Sequence, residues 1–191
     1  MTYSPTRTDL ATFRSLDRLF APDAPLEGLL AALDADQWQL QQGALWALAG
    51  RMERPLPHDT LAAIAEAVLA LLDDQDGRGV YAAPSPKDYR GADPAKTEEH
   101  RCRFRVKQAA CMALAPAAMA LPPGNPLHER AVARLERYAV DLAEDYAVRA
   151  ECCRALGRIA LPRSRGTLEQ ASTDGEWCTA TEARKALARL A

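Results

Sequence analysis

An all-α array of about four helix pairs, an α-solenoid, is the fold class this chain predicts, on three observations. A block of residues returns four times, each return carries apolar residues at helical spacing, and each is preceded by another helical segment. The block appears as "WQLQQGALWAL" from Trp38, "FRVKQAACMAL" from Phe104, "YAVRAECCRAL" from Tyr146 and, more weakly, "WCTATEARKAL" from Trp177. Each opens on an aromatic residue and closes on Ala-Leu.

Taken in chain order, "TDLATFRSLDRLF" places Leu10, Phe13, Leu16 and Phe20 on one side of an additional helix at the start. "PLEGLLAALDAD" supplies the first helix of the first unit, and the Trp38 block its second. Within that block Leu40, Ala44, Ala47 and Leu48 form a stripe of 3.6-residue period. Val106, Ala110, Ala113 and Leu114 repeat it, as do Val148, Cys152, Ala155 and Leu156, and finally Thr179, Ala183, Ala186 and Leu187. The small residue inside each stripe lets a neighbouring helix approach closely, so Cys152 stands where Ala44 and Ala110 stand.

"DTLAAIAEAVLALLDD" and "NPLHERAVARLERYAVDLAED" are the first helices of the second and third units, and "RGTLEQAST" that of the fourth. Asn125 followed by Pro126 is a strong helix start, with an amide to cap free N–H groups and a proline suited to the first turn. Asp36, Asp145 and Asp174 with Glu176 precede second helices, where capping and the helix dipole favour them. The interval from Trp38 to Phe104 exceeds the roughly 30 to 47 residues of common helical repeats. Its excess lies in "DDQDGRGVYAAPSPKDYRGADPAKT", residues 73–97, read as a long inserted loop because its Gly, Pro and Asp content breaks helices and strands.

From Pro25 to Ala191 the chain resembles the HEAT repeat family, and within it the short units of the phycobilisome-lyase type. "EDYAVRAECCRALGRIA" carries the resemblance, being close to that family's D-x-x-V-R-x-x-A-x-x-A-L-G pattern, with Arg149 at the recurring arginine. Gln41, Lys107 and Ala180 stand at that position in the other units, so a continuous ladder of Asp–Arg pairs is not expected. The resemblance implies a right-handed superhelix whose second helices line a concave wall.

The chain has 191 residues, 48% hydrophobic and 26% charged, which suits a single domain with a substantial core, residues 1–191. A net charge of −2 argues against a protein devoted to a polyanion, which needs a clustered excess of Lys and Arg. No apolar run reaches membrane-spanning length, and "MTYSPTRTDL" lacks the layout of a secretory signal, so a cytoplasmic location is expected. Cys102, Cys111, Cys152, Cys153 and Cys178 are odd in number and lack C-x-x-C spacing, which fits reduced thiols packed as small hydrophobes.

Trp46 raises the functional question. Its equivalents are Met112, Arg154 and Lys185, and a buried stripe does not accept Arg and Trp at one position, because an unpaired buried ion costs several kcal/mol. The position is therefore expected on the surface, with Gln39, Gln42, Arg105 and Gln108 around it. Trp and Met beside Arg is a composition enriched where proteins grip one another. The competing account packs Trp46 under the N-terminal helix or the loop. Arg184, where other units have Leu45, Cys111 and Cys153, is expected to face water as part of a polar terminal cap.

Catalytic motifs are weak. His58, His100 and His128 show no spacing with a cysteine, adjacent Cys152 and Cys153 point about 100° apart, and "LDDQDGRG" fails as a calcium loop. No phosphate-cradling glycine motif occurs. Among enzymes built on related repeats, deoxyhypusine hydroxylases need repeated His-Glu pairs, of which only His128–Glu129 is present. Similarity to bilin lyases stops at the scaffold pattern. HEAT-like alkylpurine DNA glycosylases use a basic concave wall, for which Arg105, Lys107, Arg149, Arg154, Arg158 and Lys185 are the counterpart, weakened by Glu151 and the net acidity.

The expectation is thus a non-catalytic, cofactor-free protein–protein interaction module for an unidentified protein partner. Its contact residues are Trp46, Arg105, Gln108, Met112 and Arg154, with the loop tyrosines Tyr81 and Tyr89 as auxiliaries. The alternative is a nucleic-acid-binding protein or glycosylase-like enzyme using the same wall.

Overall fold

The computed structural model describes residues 14–21, 23–78 and 94–190. Among them every regular element is helical. Helix α1 covers residues 14–19. It is followed by α2 (Leu26–Ala31), α3 (Trp38–Arg51), α4 (His58–Gly77), α5 (Pro94–Ala120), α6 (Pro126–Val140), α7 (Tyr146–Ile159), α8 (Arg165–Ala171) and α9 (Trp177–Arg189). Short 3-10 turns at Ala32–Asp34 and Pro162–Ser164 join α2 to α3 and lead into α8. None of the described helices is long and apolar enough to cross a membrane.

Packing follows the chain in two rows. Helices α3, α5, α7 and α9 pack on one another in that order, and α4, α6 and α8 lie against α5, α7 and α9 in the same sequence. Contacts between α7 and α9 advance in the same direction along both. The Thr179 hydroxyl donates to the Tyr146 carbonyl, Arg154 reaches Glu182, and Gly157 meets Ala186. The two helices are therefore parallel.

The apolar stripes explain this packing. Ala44, Leu48, Val106, Ala110, Leu114, Val148, Cys152, Leu156 and Ala183 are all buried, and Leu187 is half-buried against the same core. Small residues at these positions allow close approach. At Gly157 an added Cβ would lie 2.6 Å from the Ala186 Cβ and 2.8 Å from its Cα, a backbone atom that cannot swing aside. At α3, Gly43 faces the Leu16 side chain, which brings α1 onto this helix.

Buried charges tie the units together. Lys107 on α5 is only 2% exposed and reaches Glu144, in the segment before α7, and Asp76 on α4 at 2.9 Å. Arg149 on α7 repeats the device one unit later, bonding Asp174 before α9 at 2.8 Å and 3.2 Å and donating to the Glu144 carbonyl. Two successive bridges therefore exist, one built on Lys107 and one on Arg149. Gln41 instead donates to Leu33 O at 3.0 Å within its own unit, and Ala180 contributes none. Around Asp76, burial raises the carboxyl pKa, while hydrogen bonds from Tyr138, Lys107 and Arg137 more than reverse this, leaving it below the ordinary value. The Tyr138 ring is faced by Lys107, Arg134 and Arg137 at 4.8, 5.7 and 4.8 Å.

Several element boundaries differ from expectation. Residues 73–77 continue α4 and residues 94–97 open α5, so both ends of the expected 73–97 loop are helical. Its middle, with Tyr81 and Tyr89, lies outside the described residues, as do Leu10 and Phe13. Asp74 bonds Arg78 one turn on, an i,i+4 pair that favours helix over loop. Asn125 caps α6 by accepting from Leu127 N, and Asp145 caps α7 by accepting from Ala147 N. By contrast α3 begins after Gln37 without a side-chain cap, so Asp36 sits one residue too early. Phe20 is exposed rather than folded under, and Cys178 is exposed, unlike buried Cys111, Cys152 and Cys153.

Three stability measurements follow. Gly157→Ala should lower stability by about 1–3 kcal/mol through overpacking, despite alanine's better helix propensity. Gly50→Ala, where an added Cβ meets nothing within 4 Å, should instead be stabilising by about 0.5–1 kcal/mol in urea unfolding. Lys107→Met, which strands Glu144 beside Asp76, should cost about 3–5 kcal/mol by the same assay.

Candidate functional site

Once the stripes are buried, α3, α5, α7 and α9 are left with the side turned away from α4, α6 and α8, the outer face of this row and the wall that the sequence resemblance expects to be concave. Its occupants follow from helical periodicity. Positions three, four and seven apart share a side, which groups Gln39, Gln42 and Trp46 on α3 with Arg105, Gln108, Met112 and Met119 on α5. Arg154 and Arg158 on α7 and Glu182, Lys185 and Arg189 on α9 continue it.

Trp46 is 46% exposed, although Gly43, Ala44, Leu45 and Leu48 around it are buried. The N-terminal helix passes over Gly43, with Leu16, Leu19 and Phe20 nearby, and a groove lined by Leu19, Phe20, Ala47, Gly50 and Arg51 marks that contact. The helix therefore covers the flank next to Trp46 and leaves nearly half of the residue in reach of solvent. Met112 is half-buried, and Met119, two turns along α5, is 53% exposed.

The basic end is more structured than a bare wall of cations. Arg154 pairs with Glu151 on its own helix and with Glu182 on α9 at 3.4 Å, and Lys185 pairs with Glu182 at 2.8 Å. Burial pushes the Glu151 carboxyl pKa up, with Arg154 opposing it, whereas the hydrogen bond from Lys185 holds Glu182 below its ordinary value. Arg105 does not project freely. Its guanidinium lies 5.3 Å from the Trp38 ring centre, a cation–π contact between α5 and α3. Lys107 and Arg149, counted among wall cations from sequence, are buried in the inter-unit bridges. Arg158 and Arg189 are exposed and in no ion pair among the described residues.

The structure thus brings Trp46, Gln108, Met112 and Arg154 onto one face, with Arg105 at its edge. Sequence reasoning left out Met119, Arg189 and Glu182. Met119 was legible as i+7 from Met112, and Glu182 as the acid one unit on from Glu151. Trp177, at 75% exposure, and Tyr146, at 40%, were seen as repeat openers and not as surface aromatics.

Nucleophile or metal chemistry finds little support in the described side chains. Cys152 and Cys153 are buried, and burial pushes both thiols up, Cys153 to about 12, which disfavours the reactive thiolate. His128 is buried and donates Nδ1–H to the Ala118 carbonyl at 2.8 Å. Among the described residues no group of three or more His, Cys, Asp and Glu is arranged to hold a metal ion. A cleft of about 540 Å³ between the Ala32–Asp34 turn and α4 is lined by Asp34, Asp36, Asp74, Arg78 and Gln41 together with apolar residues, away from the face described above.

The sign of the Glu151 shift gives a measurement. A carboxyl whose folded pKa is raised takes up a proton on folding, so its destabilising charge is present near neutrality and is relieved as pH falls toward 4.5. Glu151→Gln should therefore raise Tm at pH 7.5, with the advantage shrinking to nothing near pH 4.5. Comparison with protein-family models matches none, and comparison with curated proteins finds no match, so the residues themselves carry the functional argument.

Proposed function

We propose that this chain is a HEAT-like, right-handed α-solenoid that serves as a non-catalytic protein-binding module, with the outer face of α3, α5, α7 and α9 as its contact surface. The two-row packing and the repeated stripes support the solenoid reading. Trp46 carries the functional one. A tryptophan with nearly half its surface in water, on a helix otherwise well packed, is the residue type most enriched in interface hot spots. Met112 and Met119 extend an apolar zone beside it, and methionine adapts its shape to a partner at small cost. A rigid array presents such a surface with little ordering penalty on binding.

The nucleic-acid reading is disfavoured by how the cations are used. Of the six proposed from sequence, Lys107 and Arg149 are buried, Arg154 and Lys185 are paired with carboxylates, and Arg105 rests on Trp38. Only Arg158 remains outside such an arrangement, too few to release the counterions that duplex binding needs.

Because Arg154 holds Glu151 and Glu182, the test leaves it in place and changes Trp46→Ser with Met112→Glu. Affinity capture with the wild type should recover a partner whose yield falls about tenfold or more with the double variant, at unchanged helical circular dichroism. Equal recovery by both proteins would place the contact surface elsewhere. A DNA duplex titrated at 50 and 200 mM salt should bind weakly at both; tight binding that collapses with salt would favour the nucleic-acid reading instead.

A further inference from the structure

Charge is distributed unevenly between the two rows. Helices α3, α5, α7 and α9 carry twelve lysines and arginines against four acids, Glu98, Glu99, Glu151 and Glu182, while α4 carries five acids and no Lys or Arg. Arg103, Lys107 and Arg149 are buried, so the cations this row leaves toward its outer face are Arg105, Arg154, Arg158, Lys185 and Arg189. On the outer face itself the split is finer. Within residues 38–51 and 102–120 the α3 and α5 part offers Trp46, Met112 and Met119 and no carboxylate, whereas the α7 and α9 part offers Arg154, Arg158, Lys185 and Arg189 against Glu151 and Glu182.

We propose that this face takes an acidic amphipathic helix of a protein partner, lying across the four parallel helices. The proposal rests on the protein-binding reading above and names the partner's chemistry. Spacing supports a helix. Packed helices lie about 8–10 Å apart, so one face position on each of four helices spans about 24–30 Å, the length of a helix of roughly 16–20 residues. Seven residues of helix rise about 10.5 Å, close to one such step, so a heptad-spaced row of side chains meets one array helix at each step.

Charge and polarity then fix what that row carries. Its positions over Trp46 and Met112 are apolar, and those over Arg154 and Lys185 are carboxylates, which meet Arg158 and Arg189 as well. Partner carboxylates are favoured there over phosphates because the exposed cations are few and stand next to Glu151 and Glu182. A duplex would bring dense negative charge against those two acids, whereas one or two carboxylates fit between them. The apolar half has nothing to offer a phosphate backbone, but it buries Leu or Met side chains well.

Fluorescence anisotropy with synthetic probes tests this. The first probe is a fluorescein-labelled helical peptide of about 20 residues, with Leu at heptad spacing in one half and Glu in the other. The second replaces each Glu with Lys, and the third is a DNA duplex of similar length. The acidic peptide should bind at least about tenfold more tightly than the lysine peptide and the duplex. Trp46→Ala should weaken it about thirtyfold, and Arg158→Glu with Arg189→Glu about tenfold, each with unchanged circular dichroism. Absence of binding, equal binding of the lysine peptide, or preference for the duplex would overturn the proposal. If partner capture still depends on Trp46 and Met112 in those cases, protein binding stands and only the partner's chemistry is wrong.

Discussion

Close approach of α5, α7 and α9 is the constraint on which the rest of this molecule depends. It requires two things at once. Small residues must face each other, as Gly157 and Ala186 do, and the polar groups trapped between units must find partners. Lys107 and Arg149 meet the second requirement by reaching the acids that precede the next unit's second helix. A hydrophobic pair in their place would pack as well, but would not fix which loop lies against which helix.

The surface follows from this arrangement. Because the stripes and the bridges are spent inward, the residues left facing outward are those that the repeat does not need: Trp46, Met112, Arg154 and Lys185 at one equivalent position. Variation there costs the fold little, which is why a tryptophan and a lysine can occupy corresponding places. Arg154 nevertheless does structural duty, linking α7 to α9 through Glu182.

Much of the fold was legible because its period is strong. Stripes of apolar residues, the Asn125–Pro126 start and the small residue at Cys152 follow from local rules and are where those rules put them. Charge was harder to read. Lys107 and Arg149 look like surface cations in a linear pattern, and only their distance to Glu144 and Asp174 reveals them as internal. The 73–97 segment misled through composition, since glycine and proline concentrate in its middle while its ends keep helix-compatible residues and an i,i+4 pair. Comparison of equivalent positions raises exposure of Trp46 but leaves it open against packing under the N-terminal helix, because the sequence does not show what covers the first pair; the structure leaves it 46% exposed. What the surface binds is not encoded in such regularities, because it depends on residues that break the pattern.

Glu144 sits at a junction. Its carboxylate takes Lys107 from α5 while its carbonyl takes Arg149 from α7, so one short connection is clasped from both neighbours. In the first pair of helices Gln41 turns back to Leu33 within the same pair, and α3 meets α5 through apolar packing and the contact of Arg105 with Trp38. Charge therefore fastens the later helices to one another across their connections, while apolar packing and one ring contact fasten α3, and with it Trp46, to α5.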